Sequence, residues 1–394
     1  MRRFIAWKQA VINRLIHRPW IVAVRQTPSE PAFNPADMFT PTTPGWVYDL
    51  SDFSTLFQDS AGITPVTAAG QPVGLMLDKS KGLELGPDIV TPSSPWSVES
   101  GTGLSIAGMV VTGTGGTGVL KLSGVTTIGE RYQVVQEISD YVSGSITGVY
   151  SGSEGVHVSG NGEKPYLTDG STGDLYIYTE GGFVGTLTIT YVKLLAGNHA
   201  SQPTTTKRPV LKVDGNGKYY LQGDGVDDFM STAAIDFTGS DSVTTWTGVQ
   251  KLQDATRGIL YELGTDTNAV NGTFSSNAPE SDGGTGFGFA SRGTSRALAN
   301  APGYAAPYKA VLTAQGRIST DTALLQVNLN SPVSNGADQG INAYISAPAY
   351  FGARAGTSLF FNGQLYSAVC LGRVATTEEL DQTRTWVNDR TGAY

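Results

Sequence analysis

The stretch Trp46-Val-Tyr-Asp-Leu-Ser-Asp-Phe-Ser-Thr-Leu-Phe-Gln-Asp-Ser60, running on to Leu77-Asp-Lys-Ser-Lys-Gly82, decides the fold class. Trp46, Tyr48 and Leu50 alternate as a half-buried strand requires, and Val73, Leu75 and Leu77 repeat the period of two. Asp59-Ser-Ala-Gly62 supplies a turn between them. Outward from this stretch the chain keeps the same character. Glycine supplies 50 of 394 residues, nearly twice the usual ~7%, and charged residues are scarce. That composition fits many short strands joined by Gly-rich turns, and the length exceeds what one hydrophobic core serves, so two or three domains are expected.

Charge and cysteine content exclude whole classes. The formal net charge is −8 and no basic stripe is present, which argues against a nucleic-acid partner. Cys370 is the single cysteine, so no intrachain disulfide can form, and assembly in a reducing cytoplasm is expected. It lies in the apolar run Tyr366-Ser-Ala-Val-Cys-Leu371, where a thiol packs as a small hydrophobe.

The first 25 residues stand apart. Arg2, Arg3, Lys8, Arg14, Arg18 and Arg25 precede the first acid, Glu30, and leave −14 for the remainder. Lys8-Gln9 interrupts any apolar core of a secretory signal, and no stretch reaches the eighteen or so apolar residues of a membrane span. Arg3, Phe4, Trp7, Val11 and Leu15 suit an amphipathic helix ending before Pro19, followed by a stiff Pro-rich arm from Thr27 to Pro44. A membrane-surface helix and a docking peptide for a larger assembly both fit; docking is preferred, with no membrane insertion.

Between Leu83 and Ala196, runs such as Val119-Leu-Lys-Leu122, Tyr132-Gln-Val-Val-Gln136, Leu175-Tyr-Ile-Tyr178 and Leu187-Thr-Ile-Thr-Tyr191 are short, β-branched or aromatic, and spaced by glycine. They read as a β-sandwich of its own. Its ends, near Leu85 and Leu195, are expected side by side, because a host turn tolerates an insertion only if it stays closed. Further on, Lys218-Tyr-Tyr-Leu221, Ser242 to Val249, Ile259 to Leu263 and Leu324 to Asn328 read as strands. Asn362-Gly363 within Phe360 to Tyr366 predicts a type I′ hairpin. Thr376-Thr-Glu-Glu379 offers a capping box for a closing helix with Leu380, Thr383, Trp386 and Val387 on its packing face, ended by Gly392.

The order of Phe53, Leu56-Phe57, Gln58-Asp59, Pro65-Val-Thr67, Pro72-Val-Gly74 and Leu77-Asp-Lys-Ser80 resembles the opening of tail and tail-fibre proteins of bacteriophages, ahead of a concanavalin-like (laminin-G-like) jelly roll. In those relatives an Asn-His-Ala run and an Arg-Pro segment follow at once. Here Asn198-His-Ala200, Lys207-Arg-Pro209 and Gly223-Asp-Gly-Val-Asp-Asp228 arrive only after the intervening module. Within that module Gly129-Glu-Arg-Tyr132, Tyr141-Val-Ser-Gly-Ser145 and Gly185 to Lys193 are similar to jelly-roll carbohydrate-binding modules of phage fibres. The resemblance implies an all-β chain of two β-sandwich (jelly-roll) domains, one discontinuous. Residues 1–45 are then an anchoring helix and arm, 46–81 plus 197–394 the laminin-G-like domain, and 83–196 the insert.

Catalytic signatures are weak. The Glu-x-Asp-x-x-Glu strand of glycosidases on this fold is not found; Glu378, Glu379 and Asp381 fall in the first turn of a predicted helix, where acids favour the dipole. His17, His157 and His199 share no ligand spacing and have no nucleophile beside them, so zinc and a triad are unsupported. His199 is expected to bond backbone in the turn closing the host domain. Asp214-Gly-Asn-Gly217 and Asp224-Gly-Val-Asp-Asp228 could supply oxygen ligands to calcium, yet turn-capping explains them without metal. The two GxGxxG-like strings, from Gly113 and Gly283, read as loops.

Binding is left. The polar, Gly-rich segment from Asp266 to Tyr308 and the aromatics after it single out Phe274, Tyr304, Tyr308, Tyr344, Tyr350, Asp266 and Asn268 as glycan contacts, since aromatic faces stack on sugar rings and carboxamides satisfy hydroxyls. What the resemblance implies is a non-enzymatic virion protein, a tail fibre or receptor-binding protein. Its N-terminus would dock on other tail or baseplate proteins and its sandwiches would meet bacterial surface polysaccharide or another envelope receptor. A homo-oligomer, trimer favoured, assembled in the host cytoplasm and needing no cofactor, goes with it. A polysaccharide-degrading tailspike and a purely structural baseplate or capsid decoration subunit stay open.

Overall fold

Trp46 sits in the strand Gly45–Asp49, all five of whose residues are buried, in a computed structural model that describes residues 33–151 and 155–394. The strand runs antiparallel to Asn362–Leu371, with Trp46 opposite Cys370 and Tyr48 opposite Ala368. It is covered on both faces. One face enters the core; beside the other, the closing helix delivers Arg390, whose guanidinium lies 2.8 Å from the Asp49 carboxylate.

The strands group into three sheets. An eight-stranded back sheet has the spatial order 210–213, 219–224, 362–371, 242–251, 308–317, 322–327, 333–335, with 45–49 also paired to 362–371. A nine-stranded front sheet runs 56–57, 75–76, 200–201, 230–236, 346–351, 259–263, 273–277, 287–292, 296–301. Residues from before position 81 and after position 197 therefore share both sheets: Met76 is the register partner of Ala200, and Leu75 of Ser201. Trp46 is the hub of the core between them. Phe237, Tyr261, Phe274 and Phe351 surround its ring at centroid distances of 5.2 to 6.5 Å, mostly edge to face, the arrangement that ring quadrupoles favour.

Residues 85–195 build the third sheet, also nine-stranded. Two long strands, Arg131–Tyr150 and Leu175–Leu195, pair along most of their length, and several bulges let them bend. Gly118–Leu122 shows the alternation that a sandwich strand needs, with Gly118, Leu120 and Leu122 buried. Val111, Leu120, Ile146, Phe183, Leu187 and Val192 form a separate apolar core.

The seam between this sheet and the rest is held by both polar and apolar contacts. Leu85 faces Leu195 across a strand pair, and the Ala196 N–H donates to the Glu84 carbonyl. Leu75 and Leu77 pack against Leu167 and Leu195, while Arg131 donates to the Ser60 carbonyl at 2.8 Å. Behind the seam lies a largely buried knot. The Asp78 carboxylate accepts the N–H groups of Val47, Ser80 and Asn198 at 2.7 to 2.8 Å and the Ser80 hydroxyl at 2.6 Å. His199 Nδ1 accepts the Asp78 N–H at 3.0 Å, which fixes the Nε2–H tautomer, and Nε2 donates to the Leu195 carbonyl at 3.1 Å. One imidazole thus ties together the chain entering the insert and the chain leaving it.

The closing helix, Thr377–Thr391, has the expected capping box between Thr376 and Glu379 and ends at Gly392 in the left-handed conformation. It buries Thr383, Val387 and Thr391 against the outer face of the back sheet. The expected hairpin at Asn362-Gly363 is overturned: both residues begin the strand Asn362–Leu371, opposite Asp224 and Gly223. Glycine is needed there for space. A Cβ on Gly363 would lie 2.2 Å from the Phe361 ring, which folds over it.

Candidate functional site

The outer face of the insert sheet carries a row of aromatic rings. Along Leu175–Leu195 the side chains alternate, so Leu175 and Ile177 are fully buried while Tyr176 and Tyr178 point to the other face, partly exposed. Tyr176 lies opposite Tyr150, and Tyr178 opposite Thr147, whose other neighbour is His157. Ring centroids are 5.8 Å apart for Tyr150 and Tyr176, 5.7 Å for Tyr150 and Tyr178, and 6.1 Å for His157 and Tyr178.

Charges frame the row at one end. Lys121, the register partner of Tyr176 on the next strand, places its ammonium 5.3 Å from the centre of that ring and 3.0 Å from Asp174. The Asp174 carboxylate, held first by the Gly124 N–H and then by Lys121, lies below its usual pKa. Burial, together with Tyr178, Tyr176 and Glu99, raises the Tyr150 phenol, which stays a protonated donor. Flat ring faces, hydroxyls and a carboxylate side by side on a rigid sheet suit a pyranose, whose C–H face stacks and whose hydroxyls bond.

The residues expected to contact glycan are not brought together. Phe274 and Tyr344 are core residues, 0% and 1% exposed, and pack on each other at 5.1 Å; no ring face is free to stack, which corrects both assignments. Tyr304 and Tyr308 meet at 5.0 Å and lean on the buried Phe287. Tyr350, Asp266 and Asn268 gather elsewhere, over the outer face of the front sheet: Tyr350 is the register partner of Glu262, Asp266 pairs with Arg354 at 2.8 Å, and the Asn268 carbonyl accepts from Arg292. Arg3, Phe4, Trp7, Val11 and Leu15 lie outside the described residues. The tyrosine row was missed although Leu175-Tyr-Ile-Tyr178 carried its signal, two tyrosines at a spacing of two on a strand.

Other titratable groups serve the fold. Glu379 caps its helix and pairs with Arg373 at 2.6 Å. Asp214 is engaged by Lys309 at 2.6 Å and by the N–H groups of Asn216 and Lys218. Asp224, Asp227 and Asp228 have carboxylate oxygens within 4.8 Å of one another and, among the described residues, are the group that could hold a hard cation; Asp224 Oδ1 already accepts from the N–H of Val226 at 2.8 Å and of Asp227 at 3.2 Å. Burial and the neighbouring carboxylates of Asp224 and Asp227 raise Asp228 to about 6. A carboxyl whose folded pKa exceeds its unfolded value adds stability at low pH and loses it as pH rises through about 4 to 6. Asp228→Asn is therefore expected to stabilise the protein at pH 7.5 by roughly 0.5–1 kcal/mol, discounted for its half-exposed setting. Urea unfolding at pH 7.5 and pH 4 checks this: the gain should vanish at pH 4.

Two clefts of about 590 and 450 Å³ follow the seam. Their common floor includes Asn198, which is bonded into the knot of Asp78 and His199.

No protein-family model matches the chain, and no curated protein matches it. Among solved structures, a Ruminococcus gnavus IT-sialidase CBM40 bound to α2,3 sialyllactose aligns at 16% identity and a TM-score of 0.30, covering 37% of this chain and 83% of that one. Domains LG4-5 of the mouse laminin α1 chain align at 12% identity and a TM-score of 0.32, covering 78% of this chain and 93% of that one.

Proposed function

We propose that the protein is a non-catalytic glycan-binding protein that presents the tyrosine row of residues 150, 176 and 178 to a polysaccharide. The observation that carries this reading is the row itself: three part-exposed tyrosines on one sheet surface, the Tyr150 ring 5.8 Å from that of Tyr176 and 5.7 Å from that of Tyr178. The opening at Trp46 to Lys81 supports the more specific reading of a bacteriophage tail fibre or receptor-binding protein. In it the N-terminal 45 residues dock on the tail or baseplate of the virion, copies associate, with a trimer favoured, and the sandwiches meet bacterial surface glycan. No cofactor is required for stacking.

The Tyr176→Ala/Tyr178→Ala double variant should fold normally, because both side chains lie outside the apolar core, and should bind host envelope polysaccharide at least tenfold more weakly, about 1.4 kcal/mol. Retention on immobilised polysaccharide measures this, and unchanged retention would sink the assignment. Release of new reducing ends by the wild-type protein would replace the non-catalytic reading with a glycosidase. Immunogold labelling of virions tests the tail location.

A further inference from the structure

The outer face of the front sheet holds two guanidinium groups, of Arg257 and Arg296, that form no ion pair among the described residues. Strand alternation sorts the faces: Phe274, Phe287, Phe289, Ala297 and Ala299 enter the core, so Ser275, Asn277, Gly288, Ala290 and Arg296 point the other way. Asn277 lies opposite Gly288, and Arg292 opposite Arg296. Arg257 reaches this face from the approach to the strand Ile259–Leu263 and donates through Nη2 to Asn277 Oδ1 at 3.2 Å.

Arg354, on the same face, shows what a satisfied guanidinium looks like. It grips the fully buried Glu262 through two bonds of 2.9 and 3.0 Å and takes Asp266 at 2.8 Å. Arg257 and Arg296 form no ion pair among the described residues. Arg257 Nε and Arg296 Nε and Nη2 are buried without a hydrogen-bond partner, and so are Asn277 Nδ2 and Ser275 Oγ, on side chains that are 0% exposed. An unpaired buried charge is costly, and arginine does not escape the cost by losing its proton. Burial, with the Arg354 charge beside Arg257 and the Arg257 charge beside Arg296, lowers both groups without discharging them, and the Glu280 carboxylate opposes the shift in each. Glu280 attracts both arginines but pairs with neither among the described residues, so their buried donors are left open to an acceptor from outside. Both arginines are partly exposed, so a solute reaches them from solvent. Gly288 makes room for the Glu280 side chain, whose Cγ a Cβ there would meet at 2.4 Å.

We infer that Arg257 and Arg296, with the Asn277 amide, form an oxyanion site that takes the carboxylate or sulfate group of an acidic sugar. A planar guanidinium fork matches a carboxylate through two parallel N–H···O bonds, and a buried amide donor adds a third. The sugar as carrier rests on the glycan reading above; the oxyanion contact itself does not.

Two titrations of the full-length protein test it. Sodium sulfate against sodium chloride at equal ionic strength should raise the melting temperature of the wild type saturably, by about 2 °C or more beyond its effect on the Arg257→Met/Arg296→Met variant. A uronate-containing oligosaccharide should bind the wild type at least tenfold tighter than its carboxyl-reduced counterpart. That preference should disappear in the double Met variant and persist in Tyr176→Ala/Tyr178→Ala. The single Arg296→Met variant carries the same expectations at about threefold if the double one does not fold. Equal sulfate responses in wild type and variant would overturn the oxyanion site and leave the tyrosine row standing. A sulfate difference without saccharide binding would overturn the sugar carrier together with the glycan reading.

Discussion

Trp46→Ala is expected to destabilise the sandwich by about 3–5 kcal/mol, the range for removing a large buried aromatic that leaves a cavity behind. The indole is 1% exposed, and four rings from strands and turns spread over residues 237 to 351 close on it. Those rings belong to a rigid jacket between two sheets and cannot collapse into the space. Among the described residues the indole N–H has no partner, so the loss is one of packing and apolar burial, with no hydrogen bond to discount. Guanidinium unfolding followed by tryptophan-independent circular dichroism measures it, and a loss below 1 kcal/mol would show that the core between the sheets does not depend on the segment before residue 81. The insert's own core shares none of these residues. If the insert is an independent unit, as we propose, a transition belonging to residues 85–195 should stay at its wild-type midpoint.

Acid is the second strong perturbation. Burial and the nearby Arg131 charge push His199 from 6.5 down to about 3 in the folded protein, against the opposing pull of its bond to the Leu195 carbonyl. Between those values the unfolded chain binds a proton that the folded chain refuses. Stability is therefore complete above pH 6.5 and falls as pH drops, by about 2–3 kcal/mol at pH 4.5 and on the order of 4 kcal/mol near pH 3. Protonation would put a donor on Nδ1 against the Asp78 N–H, so the charged ring cannot keep its place. Asp228 titrates in the opposite sense, which makes Asp228→Asn the right background. In it, the slope of unfolding free energy between pH 6.5 and 4.5 should fall by about one proton when His199 is replaced by Asn. An unchanged slope would show that the imidazole titrates normally.

The all-β class was legible from residue 46 onward because alternation, Gly-rich turns and a capping box are local signals. What alternation does not reveal is parity. Phe274 and Ser275 are neighbours on a strand buried on both faces, so polarity could not say which one faces the core, and Phe274 and Tyr344 were expected at a surface they never reach. Asn362-Gly363 failed for a related reason: the dipeptide signals a turn only if its glycine serves backbone conformation, and here it makes room for Phe361. Tyr176 and Tyr178 needed only their spacing and the burial of Leu175 and Ile177 between them. Arg257 and Arg296 were beyond reach from the sequence. They come from segments nearly forty residues apart, and their distinguishing property, the lack of an ion pair among the described residues, exists only once every other charge on that face has been placed.

The paired ends at Leu85 and Leu195 carry a consequence for how such a protein can change. Because entry and exit are one strand spacing apart, the surrounding chain experiences residues 85–195 as a closed loop, and closure entropy grows only with the logarithm of loop length. A module of different size or specificity could be exchanged at that position without altering the register of Met76 with Ala200. The ring of His199 works there as a clasp on a socket, and new recognition can be acquired by replacing what is plugged in while the framework is inherited intact.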